Sequence, residues 1–193
     1  VKYMINNIKK CKQKNKIFVT IFYKKYLIKK HLKKIKSKIN IVEEVEARGT
    51  AGSLREVIKK TKQKHLILLN GDLFANINFT NLLEFHVKKK NQITACIKKH
   101  KIQCPYAVLK KRGQSLFFDE KPSLSMKINA GIYVLKLNFL KKFFKKNKNK
   151  FIGMDEILNS GGKLGIFEIG DEWIDIGHIG DYKKAYKEIS KWK

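Results

Sequence analysis

Two aspartates stand where a carboxylate suits work on a divalent cation. Asn70-Gly71-Asp72 closes an apolar run at residues 66–69. In an open α/β sheet, ligands gather beyond the carboxyl ends of the strands, and a glycine lets a ligand approach the backbone. Asp72 is therefore placed to hold Mg²⁺, whose sites commonly combine one or two carboxylates with phosphate oxygens. The same tripeptide also makes an ordinary turn. Asp175 lies in Trp173-Ile174-Asp175-Ile176-Gly177, flanked by apolar residues. That setting suggests a carboxylate turned from bulk water, which needs a cation or hydrogen-bond partner. A surface strand with Asp175 facing solvent fits the same pattern.

Two further segments suit phosphate or flat ligands. Ala47-Arg48-Gly49-Thr50-Ala51-Gly52-Ser53 joins a strand to a helix. Its small residues open the backbone, and a helix start offers free N–H donors, although Thr50 or Ser53 equally fits a helix N-cap. In Asp119-Glu120-Lys121-Pro122, Lys121 can neutralise a phosphate while Pro122 fixes the turn; it is also one lysine among many. Cys96, His100 and Cys104 are evenly spaced like metal ligands, but a structural zinc takes four and no fourth His or Cys lies nearby. Cys96 falls in an apolar run and fits a small core residue. His31, His65, His86 and His178 show no partner in sequence and read as scattered.

Positioning these residues requires an alternating set of helices and strands. Helical spacing is predicted at 3–14, 24–35, from Gly49–Gly52 to about residue 62, and at 79–90, 137–145, 154–159 and 179–191. Apolar, β-branched runs predict strands at 17–22, 39–42, 66–69, 93–97, 128–135 and 164–169, and a hairpin at 106–109 and 115–118. Strand, helix, strand at this pitch predicts parallel pairing with helices on the sheet faces. No internal repeat and no linker divides the 193 residues, so one α/β domain with an antiparallel insertion is expected. The chain starts at Val1 and enters a helix directly, whereas such a sheet opens with its own strand. A missing start of on the order of 30 residues is expected.

Composition narrows the function classes. With 43% hydrophobic residues recurring along the length, a disordered polybasic tail is excluded. The longest apolar stretch, near 17–23, falls well short of the roughly 20 residues a bilayer span needs, and no signal peptide is visible. Three cysteines do not make a disulfide framework, which favours a reducing compartment such as the cytoplasm. The formal charge is +28, yet Arg48, Arg55 and Arg112 are the only arginines. Lysines are scattered through nearly every polar stretch, and Ile, Asn and Phe, which share A/T-rich codons with Lys, are abundant as well. Genome composition thus accounts for the charge without a dedicated nucleic-acid face.

Gly49-Thr50-Ala51-Gly52, Asn70-Gly71-Asp72, Pro105-Tyr106, Glu120-Lys121-Pro122, Asn129-Ala130-Gly131-Ile132-Tyr133 and Trp173-Ile174-Asp175-Ile176-Gly177, taken in that order, resemble the motifs of the sugar-1-phosphate nucleotidyltransferases, with the guanylyltransferase-type members that activate bacterial surface sugars most alike. The resemblance implies a Rossmann-like α/β/α sandwich with a mostly parallel central sheet. It implies attack of a sugar-phosphate oxygen on the α-phosphorus of a nucleoside triphosphate, GTP favoured, with release of pyrophosphate. Asp72 and Asp175 would hold Mg²⁺ and Lys121 the sugar 1-phosphate. Gly49, Thr50, Ala51, Gly52 and Gly71 would line the nucleotide site. Tyr106, Glu120, Asn129, Gly131 and Tyr133 would line the sugar pocket. No nucleic-acid or membrane partner is implied, and the oligomeric state is left open. The sequence departs from that family in three places. The glycine-rich strand–loop start, with its Arg and Lys, has no counterpart; Arg48 replaces a common Leu; and Ala107 replaces a usual glycine. A polyanion-binding protein, or a homologue without turnover, are the alternatives.

Overall fold

The computed structural model describes residues 1–13, 15–35 and 37–192; Lys14, the last residue of the first expected helix, lies outside them. Helix α1 (Lys2–Lys9) leads to β1 (Ile17–Ile21), α2 (Lys25–Lys33) and β2 (Ile39–Glu43). β1 and β2 pair in parallel with Ile17 opposite Ile39. Leu32 and Ile35, together with Ile5 of α1, cover the aliphatic side chains Ile17, Val19, Ile39 and Ile41. This strand–helix–strand unit is a two-stranded sheet of its own.

One turn, α3 (Gly49–Gly52), and α4 (Leu54–Lys59) precede β3 (His65–Leu69) and the short β4 (Leu73–Ala75). The asparagine at the start of α5 (Phe79–Lys88) caps it, Asn78 Oδ1 accepting from Asn81 N at 3.0 Å. The remaining elements are β5 (Ile93–Gln103), β6 (Val108–Arg112), β7 (Ser115–Asp119), β8 (Ser123–Lys136), α6 (Leu137–Lys146), α7 (Met154–Leu158), β9 (Leu164–Glu168), β10 (Trp173–Asp175) and α8 (Ile179–Ile189).

The central sheet has the order β3-β8-β5-β9. β5 and β9 are parallel, whereas β8 runs antiparallel to both β3 and β5. Three of its four strands thus share one direction, as expected of a mostly parallel sheet. The expected direct pairing of β3 with β5 does not occur, because β8 inserts between them. β8 is apolar enough to be covered on both sides. Tyr133 and Leu135 face a core shared with Ala51, Leu54, Ile93, Leu140 and Ile157. Ala130, Ile132 and Val134 face a second core with Met4, Leu73, Phe79, Leu82 and Cys96. Helices therefore cover both faces of the sheet in a three-layer, Rossmann-like α/β/α arrangement. Each fully buried Ile, Val or Leu of β8 contributes about 1.5–3 kcal/mol.

β5 and β8 are longer than their apolar runs predict. Beyond residues 97 and 129 they leave the sheet as a two-stranded ribbon, Lys98 opposite Ile128 through Gln103 opposite Ser123. The ribbon continues through a kink into the β6–β7 hairpin, where Leu109 faces Phe118. Within residues 98–128, Pro122 is the one buried residue.

Candidate active site

The carboxyl ends of β1 and β2 carry the first group of site residues. Phe22 follows β1, and Glu44, Ala47 and Arg48 follow β2. With Gly49, Thr50, Phe151 and Gly153 they line an open cavity of about 420 Å³. Gly49 is there for a steric reason. Its φ is +75°, and a Cβ would fall 2.4 Å from the Ile152 carbonyl oxygen. That close approach lets Ala51 N donate to Ile152 O at 3.0 Å, and Ile152 N to Arg48 O at 2.9 Å. Thr50 Oγ1 accepts from Met154 N at 2.9 Å rather than capping a helix. Ala51 and Gly52 are buried away from the cavity, Ala51 inside the core beneath β8. Gly71 is exposed and does not line it.

Glu44 is a cavity residue that the sequence pattern does not single out, being one of three glutamates within residues 43–46. Its Oε1 is buried without a hydrogen-bond partner. Burial raises its carboxyl above the usual carboxylate range, and the charge of Arg48 partly offsets this.

The second group is built on β4 and β10. These short antiparallel strands set Asp175 opposite Leu73, directly after Asp72, and Ile176 N donates to Asp72 O at 3.1 Å. Trp173 Nε1 donates to Ala130 O at 2.9 Å, tying β10 to β8. Asp72 and Asp175 are thereby brought together from positions a hundred residues apart. Asp175 is exposed, so of the two readings of its apolar neighbours the structure shows the short surface strand with Asp175 on its solvent side, not a carboxylate turned from water. Partial desolvation nevertheless raises its carboxyl. The negative charges of Asp72 and then Asp181, in the first turn of α8, add to the rise, and the Ile176 N–H opposes it. Such a self-repelling pair is relieved by a cation. Among the described residues no group of three or more His, Cys, Asp or Glu encloses a metal, so two aspartates and outside oxygens are the donor set available. That set fits Mg²⁺, which keeps waters and takes phosphate oxygens.

Asn129, Gly131 and Tyr133 follow one another on β8 beside Asn70. Asn129 Nδ2 donates to the Tyr133 hydroxyl at 2.7 Å, and its Oδ1 accepts from Gly131 N at 3.0 Å. Asn70 N donates to Gly131 O at 3.0 Å. Gly131 has φ +68°, and a Cβ there would come 2.8 Å from Asn70 Nδ2. Tyr133 is 4% exposed, its ring in the core and its hydroxyl in reach of Asn129. Tyr106, Glu120 and Lys121 lie exposed at the kink of the ribbon. Lys121 holds a left-handed φ of 46°, a conformation that costs a non-glycine residue energy, and its carbonyl accepts from Gln103 Nε2.

Of the remaining candidates, Cys96 is fully buried, and burial pushes its thiol up to about 12. Two histidines that read as unrelated are neighbours. The rings of His65 and His86 stack edge-on with centroids 5.0 Å apart, and His86 Nδ1 lies 2.8 Å from Thr94 Oγ1.

A sequence model of the nucleotidyl transferase family matches residues 1–191. The chain belongs to the nucleotidyl transferase family. Within it, the chain is similar to the glucose-1-phosphate adenylyltransferase of Clostridium kluyveri, at 30% identity over 161 residues, 75% of this chain and 42% of that protein. It is also similar to the D-glycero-alpha-D-manno-heptose 1-phosphate guanylyltransferase of Aneurinibacillus thermoaerophilus, at 28% identity over 171 residues, 80% of this chain and 68% of that one. The chain thus spans less than half of the first relative. In fold it is similar to the crystal structure of HddC from Yersinia pseudotuberculosis complexed with GMP-PN. The TM-score is 0.72 at 20% identity, covering 97% of this chain and 84% of that one.

Proposed function

We propose that the protein carrying this chain transfers a nucleotidyl group from a nucleoside triphosphate, GTP favoured, to a sugar 1-phosphate. Pyrophosphate is released and a nucleoside diphosphate sugar is formed. The observation that supports this reading best is the meeting of Asp72 and Asp175 across β4 and β10, with Asp181 adding negative charge. The carboxylates repel each other and would hold Mg²⁺ against the α-phosphate, where the ion offsets charge that otherwise repels an anionic nucleophile.

The chain's own residues bind and orient. The cavity beside Gly49 and Thr50 takes the base, and Glu44 in its wall supplies acceptors. Guanine presents two adjacent donors, N1–H and the N2 amino group, to one carboxylate, whereas adenine presents a single donor, its N6 amino group, beside the N1 acceptor, which repels a carboxylate. That complementarity favours GTP. Lys121 pairs with the sugar 1-phosphate, with Tyr106 and Glu120 beside it at the ribbon kink. Asn129 and the Gly131 backbone line the sugar side, with Tyr133 fixing the Asn129 amide. A phosphate oxygen of the sugar then attacks the α-phosphorus. One P–O bond forms as the bond to the β-phosphate breaks, and both electrons leave with pyrophosphate. No protein nucleophile is used; catalysis is positioning and charge compensation.

The test is pyrophosphate release from GTP, ATP, CTP and dTTP with a panel of sugar 1-phosphates and Mg²⁺. Asp72→Asn and Asp175→Asn each lose at least about 100-fold in kcat, and the double variant is little worse than either, because groups acting as a unit are non-additive. Both side chains are exposed, so circular dichroism and thermal melting remain unchanged. Near-normal turnover in either single variant rejects the two-carboxylate assignment.

A further inference from the structure

Between α6 and α7 the chain reads Asn147-Lys148-Asn149-Lys150-Phe151-Ile152-Gly153. The first four residues suit water, and the next two do not. Ile152 enters the core that also holds Phe144 and is fully buried there. Phe151 stays 63% exposed, but it is exposed inside a concavity, in the lining of the 420 Å³ cavity with Gly49 and Thr50. That volume lies within the range of about 300–1,000 Å³ usual for small-molecule sites. A phenylalanine left in water there has a large apolar ring for a flat ligand to cover. Glu44, in the same lining, offers acceptors to the edge of a base, and the face of the base needs a wall of the opposite character.

A seven-residue connection has no ladder of its own to fix such a wall. Arg55 on α4 supplies the brace. Its Nη1 donates to Phe144 O at 3.2 Å, and its Nη2 donates to Asn147 O at 2.5 Å and Asn149 O at 2.9 Å. The guanidinium carbon also lies 4.7 Å from the centre of the Phe144 ring. The Phe144 and Asn147 carbonyls stand at the C-terminal end of α6, where carbonyls lack intrahelical partners and a cation is favoured. Three carbonyls spread over six residues need a fork; an ammonium presents all its donors from one point. Lys150 Nζ also reaches Glu46 Oε1 at 3.6 Å, but so exposed a pair contributes little. On the far side of Phe151, Ile152 is tied to Arg48 and Ala51. Phe151 therefore sits between two fixed points, Asn149 and Ile152.

We infer that Phe151 stacks on the base of the nucleoside triphosphate, and that Arg55 is the positioning residue that sets it there by fixing residues 147–149. The inference rests on the proposed reading of the cavity as the base site. Stacking uses the π-face that every base has, so Phe151 adds affinity without choosing among bases, and Glu44 is left to choose.

Calorimetric titration of the purified protein with GTP and with ATP, in Mg²⁺, tests this. Phe151→Ala weakens both nucleotides about tenfold or more and leaves their ratio unchanged. Phe151→Leu, apolar but not aromatic, loses most of the same affinity, and Phe151→Trp keeps it. Arg55→Ala and Arg55→Lys each weaken both nucleotides about fivefold. In the Phe151→Ala background, Arg55→Ala costs no further affinity, because the guanidinium acts through the ring it positions; a general structural role would lower affinity again. Phe151 is exposed, so its variants keep the wild-type circular dichroism; should the Arg55 variants fail to fold, the Phe151 series decides alone. If Phe151→Ala binds GTP as tightly as wild type while Asp72→Asn still abolishes turnover, this inference is overturned and the proposed reaction stands. Additive losses in the double variant overturn the positioning role of Arg55. A wild type that binds neither nucleotide overturns the reading of the cavity and this inference together.

Discussion

Three glycines separate backbone strain from collision, and alanine at each gives a graded stability series. Gly71 has neither problem: no positive φ, and nothing within 4 Å of where a methyl group would sit. Gly71→Ala is neutral or stabilising by up to about 1 kcal/mol, because alanine restricts the unfolded chain. Gly161 has φ +80° but open space around it. There the left-handed conformation costs alanine about 1–2 kcal/mol, against about 0.4–1 kcal/mol recovered from the unfolded state, a net loss near 1. Gly49 combines φ +75° with a carbonyl oxygen 2.4 Å from the new Cβ. Strain adds to a displacement of Ile152 costing about 1–3 kcal/mol. Two braces, Ala51 N to Ile152 O and Ile152 N to Arg48 O, are then loosened, at about 1 kcal/mol each. Gly49→Ala therefore loses about 4–6 kcal/mol, a large part of the ~5–15 kcal/mol typical of a domain. Urea denaturation at pH 7 reads the differences directly. At about 2–4 °C per kcal/mol for this size, calorimetry shows Tm lower by about 8–24 °C for Gly49→Ala. A Gly49→Ala protein within about 1 kcal/mol of wild type, or a Gly161→Ala protein hit as hard, refutes the reasoning.

Other expectations follow from side chains. Burial, then His65 and Lys136, hold the fully buried His86 imidazole down at about 4. A depressed histidine favours the neutral folded state, so its contribution is intact above about pH 6.5 and is lost as pH falls toward 4, roughly 2 kcal/mol by pH 5. The urea midpoint of wild type falls more steeply between pH 7 and 5 than that of His86→Gln; parallel slopes contradict this. Glu44→Gln places an amide donor against guanine's donors and lowers the kcat/KM ratio of GTP to ATP about 10–100-fold. An unchanged ratio removes Glu44 from base recognition. Lys121→Met raises KM for the sugar 1-phosphate about tenfold or more while leaving KM for the triphosphate unchanged, and equal changes in both contradict its assignment to the sugar phosphate.

The order of helices and strands is readable because apolar periodicity is local. Pairing is not local, and there the sequence misleads. Nothing in residues 65–97 announces that a strand from residues 123–136 lies between β3 and β5. β4 is three residues long and exists because β10 offers it partners, so no alternation marks it. The outer halves of β5 and β8 escape the pattern because Lys98–Lys101 and Ser123–Lys127 are largely polar, as an exposed ribbon allows. In the site, Asp72 and Asp175 stand out because each interrupts an apolar run with a carboxylate and a glycine. Ala51 and Gly52 belong to the same motif as Gly49, yet the helical turn directs them into the core. Glu44 is hidden among other glutamates, and the His65–His86 pair spans a strand and a helix, beyond the reach of any spacing rule.

The place of β8 in the sheet also sets a timetable. β3 waits for its hydrogen-bonded neighbour until Lys136, the partner of His65, has been synthesised. At ribosomal rates of about 5–20 residues per second, that interval of about seventy residues lasts about 4–14 s. During it the edge of Leu66-Ile67-Leu68-Leu69, four aliphatic residues in a row, has no strand beside it. The nascent chain therefore has its greatest exposure to misassociation before the second half of β8 emerges, and chaperone dependence should concentrate in that window.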